Sequence, residues 1–151
     1  MLFLCHGNAC RSPFAAALFA REAGQRIAAP IKVASAGLVS PGRPSPVAAI
    51  AAAARRGIDL APHRSRLVTT QAIAAAQLVV VMSADQARVV RRVGKREIAT
   101  LILGDLDPEP MEERTIIDPM GGRDAIFDES YDRITRCVDA LIDVLVGPSS
   151  K

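Results

Sequence analysis

The sequence predicts an α/β fold: a four-stranded parallel sheet with helices on both faces. Three observations predict it. Short apolar runs alternate with helical segments four times, which is the order of strands joined by helical crossovers. The run Leu78-Val79-Val80-Val81 is apolar throughout, as a strand covered on both faces must be. The chain has 151 residues, 50% of them hydrophobic and 23% charged, enough to bury a core within one domain and too apolar for disorder.

The elements follow in order. Residues 1–4 are too short for a helix and read as a buried strand. Ser12-Pro13 predicts a helix start, with serine at the N-cap and proline in the first turn, running to Gly24. Residues 31–36 read as the second strand. Ser45-Pro46 repeats the start signal for an alanine-rich helix over 48–56, stopped by Gly57. A short helix is expected over 69–76 and the third strand over 78–81. Ser83 with Gln86 forms a capping box for a helix ending at Gly94. Residues 99–103 read as the fourth strand. The last helix starts near Asp124; Phe127, Tyr131, Ile134, Val138, Leu141 and Leu145 are spaced to share one apolar face. Cys137 sits beside that face and is expected in the core. Residues 104–123 have no helical period, and a loop of about 20 residues inside a compact domain usually serves function.

Charge and cysteine usage narrow the function classes. The net charge is +3 and the pI near 9.1. Arg55-Arg56 and Arg91-Arg92 have no interleaved aromatics, so they read as solvated helix faces, and no nucleic-acid partner is expected. No apolar run approaches the ~20 residues of a membrane helix. The apolar start stops at Cys5 without a basic segment before it, unlike a signal peptide. Three cysteines without a disulfide framework suit the cytoplasm, and no membrane partner is expected. His6 and His63 are the only histidines, and no spacing suits a metal, so neither metal nor cofactor is expected.

The chemistry lies between the first strand and the first helix. Cys5-His6-Gly7-Asn8-Ala9-Cys10-Arg11-Ser12 places a glycine-containing loop before a helix N-terminus, where backbone amides gather around an anion. Asn8 suits the left-handed conformation that a tight loop requires. Arg11, six positions after Cys5, can curl back over the same anion. Helix ends and cations favour thiolate over thiol, so one loop offers a nucleophile and a cradle for a phosphate's oxygens.

Extended to Pro13, this stretch closely resembles the signature of the low-molecular-weight protein tyrosine phosphatase family, bacterial type. Ser35-Ala36-Gly37, Gly57-Ile58-Asp59, His63-Arg64-Ser65 and Val80-Val81-Met82 match family landmarks in order, and Asp118-Pro119 falls where the family keeps its acid loop. The resemblance implies a single phosphatase domain over residues 1–147, with 148–151 as a flexible tail. It implies a phosphate-binding loop after the first strand, made of Cys5, His6, Gly7, Asn8, Ala9, Cys10, Arg11 and Ser12. Cys5 would attack phosphorus and form phosphocysteine, Arg11 would hold the phosphoryl oxygens, and Asp118 would serve as general acid and then base. Asn8, Ser12, Ser35 and His63 would brace the loop. Cys10 would be the redox partner of Cys5, while His6 has no matched role. The implied partners are a phosphorylated protein or small phosphate ester, with phosphate as product and inhibitor.

Some positions depart from the family. Met120-Gly121-Gly122 follows Asp118-Pro119 where phosphotyrosine enzymes often carry aromatics, and Leu38-Val39-Ser40-Pro41-Gly42 supplies no second aromatic wall. Position 16 is alanine where glutamate is frequent. Ala9 matches neither the isoleucine common in phosphotyrosine members nor the threonine of phosphoarginine phosphatases. The expected activity is hydrolysis of phosphotyrosine-type monoesters. The alternatives are a protein-arginine-phosphate phosphatase or a thiol-dependent arsenate reductase. A thioredoxin-coupled reductase needs two further cysteines, and only Cys137 lies outside the loop.

Overall fold

The computed structural model describes residues 1–94 and 97–147; the expected tail at 148–151 lies outside them. Strand β1 (Leu2–Cys5) leads to α1 (Arg11–Arg26), β2 (Ala34–Gly37), α2 (Val47–Ala54), α3 (Thr70–Ala75) and β3 (Val79–Val81). Then come α4 (Ala84–Val93), β4 (Thr100–Ile102), a 3-10 turn at Leu103–Leu106, and α5 (Asp124–Val146). The strands form one four-stranded sheet in the order β2-β1-β3-β4, parallel throughout, as the sequence predicts.

Side chains alternate across the pleat and load both faces. Phe3 and Val80 join the core under α1, α2 and α5, with Phe14, Phe19, Tyr131 and Ile134. Leu2, Leu4, Val79 and Val81 join Ile73 of α3 and Ala87 and Val90 of α4 on the other face. Each of the valine, leucine, isoleucine and phenylalanine side chains contributes roughly 1.5–3 kcal/mol on burial. A one-residue slip would exchange the two faces, so the register is well determined. The chain leaves β1 toward β2 on one side and returns to β3 on the other. Such a reversal opens a crevice at the carboxyl ends of the strands, and Cys5 ends β1 there.

Several boundaries differ from expectation. Ser12 is not the N-cap of α1: the helix begins at Arg11 with Cys10 as cap, and continues to Arg26. The second strand pairs over Ala34–Gly37 and not 31–36; Ile31 and Val33 are apolar because they pack against the core beside α1. Ser45 does not cap α2; Pro46 is the cap residue and makes no side-chain bond. Thr69 does cap α3, accepting from Ala72 N–H at 3.0 Å. Ser83 accepts from Gln86 N–H at 3.4 Å, but the Gln86 side chain accepts from Met82 N–H at 2.8 Å and does not close the box on Ser83. Leu103 belongs to the 3-10 turn after β4. Leu145 leaves the apolar face: it is 43% exposed because α5 runs past the end of the body.

Arg91 and Arg92 are exposed, but the Arg55-Arg56 pair is not a solvated face. Arg55 bonds Asp128 at 2.8 Å. Arg56 bonds Asp128 at 2.8 Å and Asp132 at 2.5 Å, and lies 6.0 Å from the Tyr131 ring centre. The pair ties the end of α2 to α5. Cys137 is fully buried in the core, as expected. Among the described residues no helix is long and apolar enough to cross a membrane.

Candidate active site

Residues 6–10 turn tightly between β1 and α1. Asn8 sits in the left-handed region at φ 51°, which asparagine tolerates. Its N–H donates to Cys5 Sγ at 3.2 Å. Its side-chain amide donates to Ser12 Oγ at 2.8 Å and to Ser35 Oγ at 2.9 Å. Its Oδ1 accepts from Arg66 N–H at 2.9 Å, and its carbonyl accepts from His63 Nε2 at 2.6 Å. This fully buried residue therefore ties the loop to β2 and to the segment at 63–66. Ser12, freed from capping, places its hydroxyl 3.1 Å from Cys5 Sγ.

Two further supports come from packing. Tyr131 of α5 stacks on Phe14 with ring centres 4.0 Å apart and donates its hydroxyl to Cys10 O at 3.0 Å. On the β2 side, Gly37 lies under the loop. A Cβ there would stand 2.8 Å from both Cβ and N of Asn8 and 2.9 Å from Gly7 C, closer than side chains approach. Gly37→Ala is expected to cost about 1–3 kcal/mol of stability. It should also lower kcat about tenfold, since displacing a reacting group by ~1 Å costs ~10²-fold and this shift is smaller. Thermal unfolding and turnover of the same preparation check it; an alanine variant with unchanged kcat would mean the loop does not feel β2.

Arg11 is buried, 4% exposed. Its NH1 donates to Ile116 O at 3.0 Å and its NH2 to Asp118 Oδ2 at 2.7 Å. Its Nε is buried without a partner. An unpaired buried donor on a cation is costly, and a tetrahedral anion over Cys5 would satisfy it. Asp118 is 43% exposed at its side chain, and its Oδ1 accepts from Met120 N–H at 3.2 Å.

The loop carrying Asp118 is held by a network that sequence reasoning missed. Arg133, 8% exposed at its side chain, bonds Asp107, whose side chain is 2% exposed. It also donates to Thr115 O at 2.8 Å and to Glu113 O at 2.6 Å. Arg136 bonds the same Asp107 at 3.2 Å. Burial opposes ionisation of Asp107, but bonds from Arg136, from Glu109 N–H and from Arg133 outweigh it and hold its carboxyl below the usual range. Ser130 Oγ donates to Ile117 O at 3.1 Å, and Ile116 N–H to Met82 O at 3.0 Å. A visible signal existed: two arginines three apart beside an apolar stripe, and an acidic cluster in the preceding loop.

Cys5, Cys10, Arg11 and Asp118 line one pocket of about 260 Å³. Buried Ala9 and exposed His6 line it too, with Val39, Ser40, Arg43 and Met120 at its more open side, and no phenylalanine, tyrosine or tryptophan. The structure thus brings Cys5, Asn8, Arg11, Ser12, Ser35, His63 and Asp118 together. Burial, then the charges of Asp118 and Cys5, push the Cys10 thiol up to about 12. Burial, then Asp107, pushes Cys137 up to about 12. A nucleophile, a guanidinium with a spare N–H and a carboxylate around one small cavity are equipped for displacement at a tetrahedral anion.

Comparison with known proteins agrees. The profile of the family described as low molecular weight phosphotyrosine protein phosphatase matches residues 1–147. The chain is 32% identical over 144 residues to a probable low molecular weight protein-tyrosine-phosphatase, EpsP, of Ralstonia nicotianae, covering 94% of this chain and 92% of that one. It superposes on the YwlE arginine phosphatase from Geobacillus stearothermophilus with a TM-score of 0.78 and 31% identity, over 95% and 90% of the two chains. For the tyrosine phosphatase Wzb from Escherichia coli K30, solved with sulphate, the TM-score is 0.81 and the identity 25%, over 95% and 96%. By motif, fold and full-length match, the chain belongs to the low molecular weight phosphotyrosine protein phosphatase family.

Proposed function

We propose that the protein hydrolyses phosphotyrosine-type phosphate monoesters through a phosphocysteine on Cys5. The observation that carries this is the convergence of Cys5, Arg11 and Asp118 on one pocket, with an Arg11 N–H left unpaired. The phosphoryl group replaces Asp118 as the anion on Arg11. Freed from Arg11, Asp118 takes up a proton from solvent; Cys5 sulfur attacks phosphorus, the P–O bond to the leaving group breaks, and Asp118 gives that oxygen the proton. A water then attacks phosphorus, Asp118 takes the water's proton, the S–P bond breaks, and phosphate leaves with the thiolate restored. Asn8, Ser12, Ser35 and His63 hold the loop through both steps.

The arginine-phosphate reading keeps its support in the likeness to YwlE. The relayed arsenate-reductase reading loses ground, since Cys137 is fully buried in the core. Purified protein assayed in parallel on a phosphotyrosine peptide, on phosphoarginine, and on arsenate with a thiol tests all three. Phosphotyrosine turned over fastest is the expected result; faster phosphoarginine hydrolysis would reassign the substrate. We place the protein in the cytoplasm, in keeping with three free cysteines.

Cys10 is proposed as the redox partner. Peroxide oxidises the Cys5 thiolate to the sulfenic acid, and Cys10 sulfur displaces its oxygen as water to close a disulfide. Mild peroxide should therefore inactivate the wild type reversibly on adding a thiol, and Cys10→Ala irreversibly. Peptide mass spectrometry reads the cross-link; a sulfenic acid persisting on wild-type Cys5 would rule it out.

A further inference from the structure

Val39, Ser40 and Arg43 of the segment 38–43 line the pocket, and the backbone of that segment is pinned at both ends. Leu38 and Val39 N–H donate to His6 O at 2.7 and 3.2 Å. Ser65, 3% exposed, clamps the rest. It accepts at its carbonyl from Gly42 N–H at 2.7 Å and donates its own N–H to Arg43 O at 2.8 Å. Its Oγ accepts from Arg43 N–H at 2.9 Å and donates to Ser40 O at 2.7 Å. Ser40 and Gly42 close the turn from the left-handed region, at φ 53° and 79°.

The clamp fixes the backbone of Arg43 while its side chain lines the pocket. Among the described residues its guanidinium has neither an ion pair nor a hydrogen bond, and the residue is exposed. Asp118 is the one carboxylate lining the pocket, and Arg11 already holds it. The mouth therefore carries a fixed positive charge that neither the catalytic groups nor the rest of the chain neutralises. No phenylalanine, tyrosine or tryptophan lines the pocket beside it.

We propose that Arg43 is a second anion-recognition residue, selecting phosphorylated peptides with an acidic side chain next to the phosphorylated residue. This rests on the phosphatase reading above and deepens it. The phosphoryl group occupies the cradle over Cys5 and Arg11, and the neighbouring carboxylate meets Arg43 at the rim. The ion pair is solvent-exposed, so its effect is modest, about two- to fivefold. It acts on substrate capture and appears in KM.

The test uses three phosphotyrosine peptides that differ only in flanking glutamate, glutamine or lysine. In wild type, kcat/KM should fall in that order, with glutamate ahead of glutamine by about two- to fivefold. The gap should close near ~0.5 M salt, where the screening length is a few ångströms. Arg43→Gln should bring the glutamate-to-glutamine ratio to one, Arg43→Glu should invert it, and Arg43→Lys should restore it. Ratios within one variant cancel any general loss of activity. Wild type without the glutamate preference overturns the proposal, as does a preference that survives in Arg43→Gln. If wild type hydrolysed neither the peptides nor p-nitrophenyl phosphate, the phosphatase reading itself would fall.

Discussion

Cys5→Ser is expected to abolish turnover of phosphotyrosine peptides and of p-nitrophenyl phosphate alike, by at least ~10³-fold, the scale on which losing a nucleophile acts elsewhere. The exchange changes one atom. The groups that gather an anion stay in place: Arg11 remains held by Ile116 O and Asp118, and Asn8 remains braced through Ser12, Ser35 and His63. Only the attacking atom is lost, because a serine hydroxyl is a far weaker nucleophile than a cysteine sulfur. Inorganic phosphate should therefore still bind, measured by calorimetry. A serine variant that keeps more than a few per cent of the rate would refute the covalent route. One that loses phosphate binding would show a collapsed loop.

Asp118→Asn should depress hydrolysis of phenyl phosphate by ~10²–10⁴-fold, and that of p-nitrophenyl phosphate far less. A general acid matters most when the leaving oxygen is basic. The structure adds a second signature. Asp118 is itself an anion on Arg11, at 2.7 Å, so in the resting enzyme it competes with the incoming phosphoryl group. The neutral amide competes less, and KM should fall while kcat drops. Equal losses on both esters would falsify the acid role. Four acidic residues earlier in the loop are engaged elsewhere: Asp107 by Arg133 and Arg136, Glu109 by Arg136, Asp105 by Arg114 and Glu113 by Thr115 N–H. None of them lines the pocket.

What was legible in the sequence was local or periodic. β3 announced itself because burial on both faces leaves room for apolar residues only, and Thr69 as a cap because its partner is three residues away. The loop from Cys5 to Ser12 was legible because a strand, a short turn and a helix start lie in one stretch. Ser12 and Ser45 show the limit. Both precede proline, and neither caps. Ser12 gives its hydroxyl to partners on the loop and on β2, and Ser45 is buried beside Pro46. Arg56 finds its partners 72 and 76 residues away, so nothing near it distinguishes it from the solvated Arg91. The clamp between Arg43 and Ser65 stayed hidden for another reason. Their bonds run largely through backbone atoms, which leave no signature in residue type.

The bracing of Asn8 also sets the order in which the enzyme can come alive. Its partners lie 27, 55 and 58 residues away, and Arg11 meets Asp118 across 107. Contacts so distant close late, because chain entropy opposes them until nearer structure is in place. The first dozen residues leave the ribosome carrying every atom of the thiol and guanidinium, but not their geometry. The loop cannot take its native turn until the segment through Arg66 has docked, and the acid arrives only with the second half of the chain. Activity is thus a property of the finished molecule. A newly made or half-unfolded chain holds its cysteine outside the cradle, inert toward phosphate esters until the last helix has closed over the sheet.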